Sequence, residues 1–108
     1  MLYELRIYHC LPGKLPALLR RFETATVALF EKHGMRQVGY WTVAIGESNA
    51  DLHYMLAWES MAERDQKFAT FASDPEWIAA RTKSEEGGAL VASISNSILM
   101  PTRFSALK

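Results

Sequence analysis

The residues best suited to hold a small organic molecule in this chain are Arg6, Tyr8, Trp41, Trp58 and Arg64. An arginine grips a carboxylate or enolate oxygen through charge-assisted hydrogen bonds, a tryptophan stacks on a planar ring, and a tyrosine joins an apolar ring to a donor. Ligand pockets combine mostly apolar walls with a few such groups. Each residue also has a plainer role to weigh: Trp41 and Trp58 suit a core, and Arg64 a solvated helix face. No catalytic residue is assigned.

Other chemistries find less support. His9, His33 and His53 never recur at i, i+4 on one helix, and no carboxylate stands beside them at metal-ligand spacing, so no metal site is expected. There is no G-x-S-x-G elbow and no phosphate-binding glycine loop, and Ser93, Ser95 and Ser97 read as one face of a strand. Glu85-Glu86 precede two glycines and read as a solvated helix end. The single cysteine, Cys10, lacks any C-x-x-C or Cys/His pattern and reads as a partly buried thiol.

The elements that must position these side chains follow from periodicity. "LYELRIYHC" alternates as a strand, with Leu5 and Ile7 on one face and Glu4, Arg6 and Tyr8 on the other, and Pro12-Gly13 ends it. Leu15, Leu18, Leu19, Phe22, Thr26, Leu29, Phe30 and His33 follow i, i+3, i+4 spacing, which predicts a helix of about 20 residues, roughly 30 Å, from about Lys14 to a stop at Gly34. "MRQVGYWTVAIGESNADLHYMLAWES" reads as a hairpin turning within Glu47–Asp51. Its first strand puts Trp41, Val43 and Ile45 on one face and Val38, Tyr40 and Ala44 on the other. Its second puts Leu52, Tyr54, Leu56 and Trp58 together, with Met55 and Ala57 opposite. Ser60 and Glu63 form an S-x-x-E capping box that starts a second helix carrying Phe68 and Phe71. Asp74-Pro75 starts a third, "DPEWIAARTKSEE", and "ALVASISNSILM" is the last strand.

The order β, α, β, β, α(α), β is the split β-α-β pattern of the ferredoxin-like α+β fold, βαββαβ with a four-stranded antiparallel sheet. Helices cover one face of such a sheet. The other face here is too apolar for water, so a second copy of the chain is expected to cover it, with Glu4 and Arg6 as an ion-pair row where the two sheets meet.

These segments resemble the NIPSNAP family. "YELRIYHCLPGKLPALL" is similar to its opening strand, P-G-K turn and long helix; "GYWTVAIGESNADLHYMLAWES" to its hairpin; "SMAERDQKFATFASDPEW" to its second helix and D-P-E-W restart; "NSILMPT" to its closing strand. The resemblance implies a dimeric α+β barrel of two ferredoxin-like subunits. Related barrels include cofactor-free oxygenases, lactone isomerases and haem-degrading proteins, which use a pocket between sheet and helices. Residues 61–73 hold no histidine to ligate a haem.

Composition narrows the partners. The 108 residues carry 12 basic and 12 acidic side chains, so no broad positive field exists for nucleic acid or an anionic membrane. Glu4 and Arg6 interrupt the N-terminal segment before any apolar run, so neither a signal peptide nor membrane insertion is expected. The expectation is one domain over 1–108, cytoplasmic and homodimeric, without a cofactor, binding or transforming a small, partly apolar organic molecule. A cofactor-independent oxygenase or isomerase is one form of that reading. The alternative is a noncatalytic protein-interaction module.

Overall fold

The computed structural model describes residues 1–108. Strand β1 (Leu2–Cys10) leads through the Pro12-Gly13 turn, where Gly13 has φ 75°, into a helical rod. The rod comprises α1 (Leu15–Arg21), a π-helical turn (Phe22–Thr26) and α2 (Val27–Lys32). It was expected as one uniform helix. The π turn appears where the Val27 amide reaches back to the Phe22 carbonyl and the Thr26 hydroxyl donates to the Arg21 carbonyl at 3.4 Å. Such turns insert one residue into a helix and shift the faces that follow. Gly34, at φ 68°, stops the rod, with the Met35 amide bonded to the Phe30 carbonyl at 2.9 Å.

Strands β2 (Arg36–Thr42) and β3 (Asp51–Trp58) form the hairpin, followed by α3 (Met61–Ala72), α4 (Pro75–Ser84) and β4 (Val91–Leu99). The sheet order is β2-β3-β1-β4, antiparallel throughout. This is the expected ferredoxin-like arrangement. Both helix starts are capped as their sequences imply. Ser60 Oγ accepts from the Glu63 amide at 3.1 Å, while the Glu63 carboxylate reaches back to the Glu59 amide at 2.9 Å. Asp74 Oδ1 accepts from the Glu76 amide at 2.8 Å, and its Oδ2 accepts from Lys32 and bonds His33, tying the end of α2 to the start of α4. Those bonds hold the Asp74 carboxyl well below the usual carboxylate range.

Two details of the hairpin differ from the periodic reading. Strand β2 ends at Thr42, so Val43, Ala44 and Ile45 belong to the loop, and Ile45 is 99% exposed. The register also shifts between Gln37 and Gly39, which places a bulge at Val38.

The core lies between the helices and one face of the sheet. Leu18, Phe22, Leu29 and Phe30 from the rod and Phe71 from α3 meet Leu52, Tyr54, Leu56 and Trp58 from β3. Register decides what else faces the helices. Glu4 pairs with Leu56, Arg6 with Tyr54 and Tyr8 with Leu52, and directly paired residues share a face. The charged row of β1 therefore lies beneath the helices. The expectation that it lies on the helix-free face is corrected: that face carries Leu5 and Ile7, beside Met55, Ala57 and His53.

Candidate functional site

Glu4 is the centre of the polar network beneath the helices. Its side chain is 0% exposed and accepts five hydrogen bonds: from Arg64 Nε at 2.8 Å, Asn96 Nδ2 at 2.9 Å, Arg6 Nη1 and Arg64 Nη2 at 3.0 Å, and Trp58 Nε1 at 3.1 Å. Burial alone would raise the Glu4 pKa. Bonds from Arg64 and Asn96 and the charge of Arg6 outweigh it and lower the carboxyl to about 2. A buried carboxylate held by two guanidiniums is thus stable in place, and Arg64 Nη1 also donates to the exposed Asp65 Oδ1 at 3.0 Å, which balances the second guanidinium.

Arg6 also reaches two phenols. Its Nε donates to the Tyr54 hydroxyl at 2.7 Å and its Nη2 to the Tyr8 hydroxyl at 3.5 Å, while Tyr54 donates to Tyr8 at 3.2 Å. Burial and the neighbouring Tyr8 raise the Tyr54 pKa well above the usual phenol range, so its proton remains in that bond. The Tyr8 oxygen accepts twice, and its own proton is donated to no group of the chain. Phe68 packs against the pair of arginines, its ring centre 4.8 Å from the Arg6 guanidinium and 5.2 Å from that of Arg64.

Tyr8 also lines a cavity of about 360 Å³ between the sheet and α4. Its other walls are Arg21, Trp77, Arg81, Glu85, the strand segment 91–93 and Ile94. Of the five residues singled out in the sequence, Arg6, Tyr8, Trp58 and Arg64 therefore share one network. Trp41 does not: it pairs with His53 on the helix-free face and is 51% exposed. There it borders a shallow apolar depression with Leu5, Thr42, Val43, Ala44, Ile45 and His53. Trp58 and Arg64 are bound into Glu4, so they support the site's geometry, and Tyr8 is the member with a free donor.

Sequence reasoning did not single out Tyr54, Asn96 or Arg21. Tyr54 and Asn96 are cross-strand partners of Arg6, a relation visible once register is known. Arg21 had a readable signal, because it lies on the helix face of Ala17, Leu18 and Ala25, where an apolar residue would be the ordinary choice.

A second constellation lies on the helix-free face. Asp51 Oδ1 is 3.1 Å from His9 Nδ1, and His9 Nε2 is 2.9 Å from Ser95 Oγ. The sequence reading of Ser95 as an ordinary strand residue missed this chain of contacts, which the pairing of β1 with both neighbours creates. It matches the order acid, base, hydroxyl of a nucleophilic triad, yet Ser95 stands mid-strand, without a turn that would gather backbone amides around an oxyanion. No three His, Cys, Asp or Glu side chains form a cluster able to hold a metal.

The fold and this polar sheet-to-helix site define a ferredoxin-like α+β protein with a cavity at the edge of its core. The chain belongs to the NIPSNAP family, whose model matches residues 3–106. It is similar to a NIPSNAP family protein of unknown function from Agrobacterium tumefaciens, at 30% identity and TM-score 0.87 over 100% of this chain and 94% of that one. A NIPSNAP-like domain protein from Burkholderia xenovorans shares 27% identity at TM-score 0.84, over 96% of this chain and 87% of that one. A putative antibiotic biosynthesis monooxygenase from Nitrosomonas europaea shares the fold at TM-score 0.63 and 9% identity, over 94% of this chain and 98% of that one. No curated protein matches.

Proposed function

We propose that this NIPSNAP protein is a cytoplasmic homodimer that binds a small, partly apolar, oxygenated organic molecule in the cavity between sheet and α4. The observation that carries the reading is the uncommitted proton of Tyr8 at the wall of that cavity, with the Arg6 guanidinium bonded behind it. A carbonyl oxygen of the ligand accepts from Tyr8. If negative charge builds on that oxygen, as in an enolate, Arg6 and Tyr54 stabilise it through the shared phenol oxygen without reorganising. That arrangement suits isomerisation or cofactor-independent oxygenation through an enolate-like state. The dimer reading rests on Leu5, Ile7, Met55 and Trp41 facing away from the helices, which leaves an apolar sheet face for a second copy to cover. No helix is long and apolar enough to cross a membrane.

The alternative of a protein-interaction module draws on less. On the outer helices the exposed large apolar side chains are Met61 and Ile78, one on each.

Titration of acetophenone, a neutral aromatic ketone, into isotopically labelled protein tests the pocket. Shifts of the Trp77 indole and Ile94 methyl signals are expected, weakened about tenfold in Tyr8→Phe through loss of one hydrogen bond to a buried carbonyl. Shifts confined to the Trp41 depression, or equal affinity in the variant, overturn the reading. Sedimentation at micromolar concentration showing only a 12.2 kDa species would refute the dimer.

A further inference from the structure

The guanidinium of Arg21 is a buried cation for which the chain provides almost no partner. The residue is 7% exposed, its Nε is buried without a hydrogen bond, and its one side-chain bond is from Nη1 to Ser84 Oγ at 3.3 Å. It forms no ion pair within the chain. The contrast with Arg6 and Arg64 is direct, since both of those are paired with Glu4. Glu85, which lines the same cavity, gives its carboxylate to Arg81 Nε at 3.0 Å. What Arg21 does have is the face of Trp77, its guanidinium carbon 5.2 Å from the ring centre.

Its surroundings add positive charge. Arg21 lines the cavity beneath Tyr8 and also a groove of about 490 Å³ between α1 and α4, where Arg20 and Lys83 stand without an acidic residue. Burial and the nearby Arg81 favour loss of its proton while the charge of Glu85 opposes it, but a guanidinium keeps its charge at any pH a folded protein meets. A buried, charged group left unpaired costs stability. The π-helical turn begins at the next residue, a feature common at functional sites.

We propose that Arg21 holds the carboxylate of an organic acid whose apolar body lies along Trp77, Val91 and Ile94, bringing an oxygen of that ligand to Tyr8. This deepens the pocket reading by naming the ligand class, and it rests on that reading. A planar carboxylate accepts two parallel bonds from a guanidinium, an arrangement no neutral group reproduces. An aromatic or unsaturated acid also places its ring against Trp77.

The probes are benzoate and its neutral isostere benzamide, titrated against the full chain with the Trp77 indole signal as readout. Benzoate is expected to bind tighter than benzamide by about tenfold or more, from charge-assisted bonding. Arg21→Met removes that preference by weakening benzoate much more than benzamide, while Arg21→Lys retains part of it. Unliganded Arg21→Met is expected to melt a few degrees higher than the native protein, because an uncompensated charge has been removed. A lower melting temperature marks Arg21 as a structural anchor and overturns the proposal. Equal binding of the two probes overturns it too, while leaving the pocket reading to its acetophenone test. Inorganic phosphate binding that is lost in Lys83→Met and never moves Trp77 places the anion in the α1–α4 groove and also overturns it.

Discussion

The two faces of the sheet differ in how each accommodates the residues that suit it least. Beneath the helices lie a carboxylate, two guanidiniums, two phenols and an asparagine, while the helix-free face carries Leu5, Ile7, Met55 and Trp41. The helix side tolerates charge because its network closes: Glu4 takes five donors and is inaccessible to water. The helix-free side has no such solution for its apolar groups within one chain. The difference separates stability from assembly: changes on the first face should act on folding, and, under the proposed dimer, changes on the second should act on association.

The largest expected effect is Glu4→Gln. It leaves two partly buried arginines without their shared counter-charge and should cost about 3 kcal/mol in urea unfolding, at the low end for halving a buried pair because Arg64 keeps its contact with Asp65. A loss below 1 kcal/mol would make the network ornamental and erase the contrast between the faces.

Acid should reproduce that loss in the native protein. The Glu4 pKa falls from 4.5 to about 2 on folding, so its contribution is fully present above pH 4.5. It disappears as pH drops through 4.5 toward 2, and the lowered value corresponds to about 3 kcal/mol. Unfolding measured at steps across that window should show the slope in native protein and a flatter profile in Glu4→Gln.

On the opposite face, Ile7→Lys should leave the fold intact and break the proposed dimer. Burying a lysine between two apolar sheets should weaken association by about 2 kcal/mol or more, roughly thirtyfold in the dissociation constant. Sedimentation across a dilution series reads this directly. A dimer unaffected by Ile7→Lys would mean that another surface joins the copies.

A smaller effect sharpens the account of the helix side. Glu4 and Arg6 touch at 3.0 Å, so a double-mutant cycle on unfolding with Arg6→Met and Glu4→Leu should give a coupling of about 1 kcal/mol or more. The coupling is modest because Arg64, Asn96 and Trp58 keep Glu4 satisfied when Arg6 is gone. Their compensation is the property a closed network has and a single pair lacks.

Element order, the two helix caps at Ser60 and Asp74 and the stop at Gly34 were legible because each rests on short-range spacing and local backbone chemistry. The side of the sheet taken by Glu4 and Arg6 was not. Alternation divides β1 into two sets of residues but cannot say which set meets the helices, and the usual preference for burying Leu5 and Ile7 there points the wrong way. What decides it is a set of partners 48 to 92 positions distant, Tyr54, Trp58, Arg64 and Asn96 among them, that no local pattern connects to Glu4 or Arg6. Trp41 was grouped with the site for its residue type, and strand register carried it to the other face. Arg21 was overlooked because a cation near the end of an amphipathic stripe looks solvated until its neighbours are known.

The smallest expected effect concerns Ser95, and it tests whether the helix-free face has chemistry of its own. Asp51, His9 and Ser95 are in contact in the order a nucleophilic serine requires. Activation of the hydroxyl is half of such a mechanism, and the other half is two or more donors converging on the oxyanion. In an extended strand successive backbone amides point to opposite edges, so the amides of Ser95 and Asn96 cannot converge as they do at a strained strand-to-helix elbow. No residue other than glycine has a positive φ, so the backbone supplies no such elbow elsewhere. The three side chains are therefore a cross-strand tie that fixes β4 and the start of β3 to β1. Ser95→Ala should change unfolding free energy by less than about 0.5 kcal/mol, as for a half-exposed surface contact. A fluorophosphonate probe should leave the native protein unlabelled. Stoichiometric labelling at Ser95, abolished in His9→Gln, would overturn this assignment and make the helix-free face a catalytic surface.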